Sequence, residues 1–215
     1  ENRTANLLVD VECDLVEPVD FSVLGDWVGK QLPTGLALPW GPVPYFRGVG
    51  EANHEARKAL SAAAANYGCA LLYLDEPPAA EYQATLCFTA ADLDARYAEL
   101  APRHAVDLVV IGCPQASPAE VRATAEIVRN RSLPEGRLWV FTASRHWDSL
   151  HEEVAAIEAA GGMVLRDTCP EVVHYDRASV NHILTNSLKA EHYLQSGLNS
   201  MPTSVARLAD CIAHA

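Results

Sequence analysis

This sequence has no CxxC pair, no HExxH, no internal repeat, no low-complexity tract and no apolar run approaching the ~20 residues a membrane helix needs. Each absence removes a class. Cysteines this widely spread exclude zinc-ribbon and thioredoxin-type chemistry, and the missing HExxH excludes the paired-His helix of a zinc protease. Basic residues are scarce: 16 Lys and Arg stand against 28 Asp and Glu, a formal charge of −12. That balance argues against nucleic acid and against an anionic membrane surface as partners. No signal peptide or basic targeting segment opens the chain, and the six cysteines of a chain with ample core need no disulfides. The expected compartment is the reducing cytoplasm. An initiator Met is also lacking: ENRTANLLVDVE enters directly in a strand pattern, as part of a longer polypeptide would.

What is present suits a soluble α/β protein. Of 215 residues, 49% are apolar and 20% charged, enough for one large domain or two smaller ones. The patterning divides into an α/β segment over 1–103 and a strictly alternating β-α segment over 104–215. In the first segment, strands are predicted over Asn6–Glu12, Cys69–Leu74 and Glu81–Phe88. Helices are predicted from Asp20 as cap to Gln31, over Glu51–Tyr67, and over Ala91–Leu100 with Thr89 as cap. The Pro- and Gly-rich stretch Pro33–Gly50 reads as a short strand embedded in loops.

In the second segment, strands at 107–112, 137–141, 163–166 and 181–185 alternate with amphipathic stretches. Those are a helix at 118–131 behind a Ser117/Glu120 capping box, one near 147–160, one carrying Lys189, His192 and Tyr193, and a last at Ser204–His214. This alternation predicts a mainly parallel sheet with helices on both faces. Ligands of such sheets bind beyond the carboxyl ends of the strands. Those ends carry Cys113; Thr142, Ser144 and Arg145; Asp167 and Cys169; and Thr185, Asn186 and Ser187.

Thr142, Ser144 and Arg145 form a strand-to-helix turn whose hydroxyls and amides suit an anion, with the Arg fork suiting a carboxylate. A helix cap followed by a solvated Arg has the same pattern. Thr185, Asn186, Ser187 and Lys189 make a second such turn, favoured for binding because it shares the sheet edge with the other loaded ends. A Cys beside an apolar run is ordinarily a small core residue. That is the reading taken for Cys13, Cys69, Cys87 and Cys211. Asp167 is expected to fix its loop. His54, His146 and His182 are assigned to surface or core, while His192 and Tyr193 line the pocket.

Taken together, IGCPQAS, TASR, AGGMVLRDTCP, LTNSLKAEHY and LADCIAHA, in this order and spacing, resemble the aconitase X family. The opening ENR and the segment at 24–50 resemble it too. The resemblance covers the whole chain but only the C-terminal part of the family's large catalytic unit. It implies an upstream segment and a small swivelling domain or subunit as partners. It further implies a hydro-lyase whose iron–sulfur cluster or mononuclear iron binds a small hydroxy acid, with Cys113 and Cys169 as metal ligands. Two thiolates do not complete a cluster, so a third ligand is expected upstream. The implied substrate is cis-3-hydroxy-L-proline, with mevalonate 5-phosphate as the alternative. Ser144 is the candidate base in this chain, although the aconitase pattern puts its serine base in the swivelling domain. Gln115, Ala143, the run Leu194–Gln195–Ser196 and the 74–80 stretch depart from the pattern and leave the substrate open. Two other classes compete: an anion-binding module with structural cysteines, and a catalytically silent assembly subunit.

Overall fold

The computed structural model describes residues 3–32 and 41–215, and the chain divides into two compact units, Glu1–Glu99 and Leu100–Ala215. In the first, β1 (Ala5–Val11) lies between β2 (Pro44–Arg47) and β3 (Ala80–Phe88), all parallel. The central strand is almost wholly buried and β3 is largely exposed, as befits an edge. Helix α1 (Pro18–Gln31) does not start at Asp20. Pro18 pre-sets the helical φ and moves the start forward, so Glu17 is the cap. Asp20 becomes the third helical residue, and its carboxylate accepts the amides of Val16 and Glu17 at 3.0 and 2.9 Å. Helix α2 (His54–Ala65), capped by Asn53, packs on α1 at Gly25, where a Cβ would meet the Leu60 carbonyl at 2.7 Å. The fully buried Asp26 is paired: its carboxylate accepts from Arg96 Nε at 2.8 Å and from the Tyr67 hydroxyl at 2.7 Å. Helix α3 spans Ala90–Leu100.

The strand predicted over Cys69–Leu74 does not form. Leu71–Leu74 are only half-buried, and the segment meets β2 at one isolated bridge, Tyr45 to Tyr73. Of the predicted Pro33–Gly50 stretch, and of the 24–50 resemblance, residues 33–40 lie outside the described residues, as do Glu1 and Asn2. Cys87, expected in the core, is exposed instead, because it falls on the uncovered face of the edge strand β3, opposite the half-buried Leu86 and the buried Phe88.

The second unit holds a five-stranded, all-parallel sheet in the order β6-β5-β4-β7-β8. Its strands are β4 (Leu108–Ala116), β5 (Leu138–Thr142), β6 (Met163–Arg166), β7 (Ile183–Thr185) and β8 (Thr203–Val205). Alternate strand residues point to opposite faces, each with its own cover. Val109, Ile111, Val140 and Leu184 pack against α4 (Pro118–Val128), α5 (His151–Ala159) and α7 (Leu208–Ala213). Leu108, Val110, Phe141 and Ile183 pack against α6 (Leu188–Ser196) and the buried Tyr175. Each such buried side chain contributes roughly 1.5–3 kcal/mol.

The last element differs from prediction. Thr203–Val205 forms the edge strand β8, and the helix begins only at Leu208. With one apolar residue in three, β8 has no strand signature of its own; pairing with β7 makes it a strand. The helix predicted near 147–160 starts earlier, as a 3-10 turn over Ser144–Leu150. No helix among the described residues is long and apolar enough to cross a membrane.

Candidate functional site

The chain leaves β4 for β5 and β6 on one side, then returns to place β7 and β8 on the other. The sheet therefore changes direction between β4 and β7, and the crevice of a doubly wound sheet opens beyond the carboxyl ends at that point. All the loaded strand ends of the sequence meet along this edge.

Strand β4 is longer than predicted because it is interrupted. Ile111 pairs with Val140, but Ala116 is the next residue to pair, with Thr142. Such an irregularity re-aims side chains. Gly112 makes it possible: its φ is +104°, and a Cβ there would lie 2.2 Å from the Phe141 carbonyl oxygen. Cys113 follows, buried in the Tyr175 cluster.

The turn after β7 is joined to Cys113 directly. Ser187 caps α6 by accepting the Ala190 amide at 3.2 Å, and its hydroxyl donates to the Cys113 carbonyl. Thr185 is buried, and its hydroxyl has no hydrogen-bond partner among the described residues. Buried hydroxyls are ordinarily paired, so an open one at a strand end is unusual. Asn186 and Lys189 are half-buried beside it, with Lys189 Nζ 6.0 Å from the Tyr193 ring centre.

On the β5 side, Thr142 is buried and its hydroxyl donates to the Ala116 carbonyl at 2.8 Å, closing the far end of the bulge. Arg145 is exposed, and its Nε meets His146 Nε2 at 3.2 Å. Ser144 is exposed too, and Asp167 accepts its amide at 2.8 Å. Hydrogen bonds from the Ser144 hydroxyl and amide hold the Asp167 carboxyl below its ordinary range. Asp167 adopts a φ of +53° and donates its own amide to the Thr142 carbonyl at 3.1 Å. It anchors the turn that starts the 3-10 helix.

Cys169 is half-buried in the segment after β6. Gln115, on the Cys113 strand, donates its side-chain amide to the Thr168 carbonyl at 3.1 Å. The Tyr175 hydroxyl donates to the Pro170 carbonyl at 2.8 Å, and its ring stacks on Trp139 with centroids 5.7 Å apart. Burial pushes the Tyr175 hydroxyl well above its ordinary pKa; the charges of Cys169, Cys113 and Glu171 add to the effect. Both thiols thus stand within electrostatic reach of one buried phenol. Two thiols in a largely apolar, half-enclosed setting suit a metal centre as two of its ligands. Among the described residues, no group of three His, Cys, Asp or Glu side chains could hold an ion.

Sequence patterning singles out neither Tyr175 nor Trp139, and Gln115 only as a departure. Tyr175 lies in EVVHYDRAS, a non-periodic polar segment; a lone aromatic there is its one signal. His182 is a satisfied core residue, its ring nitrogens 3.1 Å from the Ala105 carbonyl and 2.8 Å from the Ser204 hydroxyl. The His192 and Tyr193 rings meet at 5.3 Å on α6, and Tyr193 is exposed.

Residues 106–215, nearly all of the second unit, match the aconitase X third domain. Among curated proteins, the chain is 34% identical to the phosphomevalonate dehydratase large subunit of Methanothermobacter thermautotrophicus, over 90% of this chain and 49% of that protein. It is 32% identical to the protein of the same name from Thermococcus kodakarensis, over 91% of this chain and 52% of the relative. The crystal structure of Thermococcus kodakaraensis aconitase X in its holo-form superposes with a TM-score of 0.80 at 27% identity, covering 98% of this chain and 55% of that one. The chain spans about half the length of the curated relatives it matches.

Proposed function

The chain belongs to the aconitase X family, and on that premise we propose that it is the part of a hydro-lyase that supplies two metal ligands and a substrate-anion pocket. The observation that carries this reading is the bond from Ser187 to the Cys113 carbonyl. It fastens an anion-binding helix N-terminus to a strand end that bears a thiol.

The substrate we propose is mevalonate 5-phosphate. Relatives of this chain are named phosphomevalonate dehydratase large subunit, and that supports it over cis-3-hydroxy-L-proline. Cys113 and Cys169 would hold an iron or iron–sulfur centre, together with a ligand from the remaining length of the large unit. When bound, that centre supplies Lewis acidity toward the substrate hydroxyl. This chain's residues do the orienting. The amides of the 185–187 turn and the Lys189 charge receive one anionic group of the substrate. Arg145, exposed at the next strand end but one, is free to swing onto a carboxylate as a two-point fork. The apolar wall of Phe141, Ile183 and Tyr175 limits water on the thiol side. Ser144, committed to Asp167, shapes the β5 turn; the proton acceptor comes from the small partner subunit.

The test uses the complete gene product with its small partner, purified anaerobically. It should retain iron and dehydrate mevalonate 5-phosphate in preference to cis-3-hydroxy-L-proline. Cys113→Ser and Cys169→Ser should each lose iron while remaining folded. Undiminished iron in both variants would remove the metal reading, and preference for the hydroxyproline would remove the substrate.

A further inference from the structure

The two peptide carbonyls on either side of Cys169 are each held by a named side chain. Thr168 O accepts from Gln115 Nε2 at 3.1 Å, and Pro170 O accepts from Tyr175 Oη at 2.8 Å. The local turn itself holds only the Cys169 carbonyl, through the Val172 amide at 3.2 Å; Gln115 comes from another strand and Tyr175 from farther along the loop. Gln115 sits on β4, two residues beyond Cys113, so the first bond spans 53 residues of sequence and ties the strand of one thiol to the loop of the other. Tyr175 is fixed in turn, its ring buried in the same cluster as Cys113 and stacked on Trp139 at an interplanar angle of 18°. The Cys169 loop follows a short strand and has no helix to hold it. A half-buried thiol on such a loop would wander unless the backbone on both sides were pinned.

We propose that Gln115 and Tyr175 are positioning residues, a two-point clamp that presents the Cys169 thiol to Cys113. This rests on the two thiols acting as a pair. The clamp grips the backbone on both sides of Cys169 and sets the separation of the two sulfurs before any metal arrives. Each donor is neutral, so the clamp adds no charge to a centre that already gathers thiolates.

The experiment takes the full-length protein with its partner, stripped of metal and fully reduced, and treats it with dibromobimane, which becomes fluorescent on bridging two neighbouring thiols. Peptide mapping identifies the bridged pair. The native protein should bridge Cys113 to Cys169. Tyr175→Phe and Gln115→Leu keep the side-chain bulk and remove one donor each. Either should lower the yield of that bridge about fivefold, and the double variant further, while single-thiol alkylation of Cys113 and Cys169 persists and melting stays cooperative. Gln115→His, which keeps an N–H donor, should recover part of the yield lost in Gln115→Leu. Native-level bridging in both single variants overturns the clamp. No bridge in the native protein overturns the pairing of the thiols, and the clamp with it. A native bridge that depends on the clamp, in a protein that never takes up iron, leaves the clamp standing and overturns only the metal reading.

Discussion

Arg145 and Asp167 flank the same turn and play opposite parts in it. Arg145 is exposed, and among the described residues the neighbouring imidazole of His146 meets its Nε. If it grips a substrate carboxylate, Arg145→Lys keeps the charge and loses the two-point fork. A charge-assisted hydrogen bond contributes about 1.5–3 kcal/mol, so kcat/KM of the assembled enzyme should fall about tenfold or more, with iron content unchanged. Wild-type kinetics would take Arg145 out of the site. Asp167 is structural, and its carboxyl pKa is lowered by hydrogen bonds from Ser144. A lowered folded pKa means that the contribution is complete above the ordinary value and disappears as pH falls through the folded one. The Ser144 amide resonance should therefore titrate with a midpoint below 3.8, the ordinary carboxyl value. A midpoint above that value would show that the bond is not made. The thiols, hydroxyls and cations at the strand ends are legible in the sequence because each follows a short apolar run. Tyr175 is not, since its partners are Trp139 from another strand and a carbonyl five residues back, and neither leaves a local pattern.

Elements with their own periodicity or punctuation match their predicted type. Helix α4 starts where Ser117 and Glu120 form the reciprocal box, and β6 occupies 163–166 as its apolar run indicates. Elements that exist only through a neighbour escape a local reading. Strand β8 is made by pairing with β7, and Cys69–Leu74, apolar but with no strand to join along its length, stays irregular. The bulge of β4 is a third case, written in one residue. Gly112→Ala forces a side chain into a positive-φ position and against the Phe141 carbonyl at 2.2 Å. We expect a loss of about 3 kcal/mol or more in denaturant titration, with Cys113 alkylated faster than in the native protein. A neutral result would mean that the bulge can shift elsewhere.

Over the whole second unit, the parts nearest in space at the crevice are far apart along the chain. Asp107, at the foot of β4, accepts the amides of Asn181 and His182 at 2.9 and 3.1 Å across separations of 74 and 75 residues. Strands β4, β5 and β6 follow one another through compact helical crossovers, whereas β7 waits for the long segment 167–182 to be threaded. Closing so wide a loop costs entropy before any contact repays it. The crevice is therefore the last feature to acquire its shape as the chain folds. Pulse-labelling hydrogen exchange during refolding should find the Val140 amide protected before those of Ile183 and Leu184. Asp107→Ala should cost about 1–2 kcal/mol and appear almost entirely as faster unfolding. Until that final closure, the segment carrying Tyr175 is unfixed and the Cys169 loop lacks half of its clamp, so a metal ion offered early in refolding meets two loosely held thiols and one offered late meets a set pair.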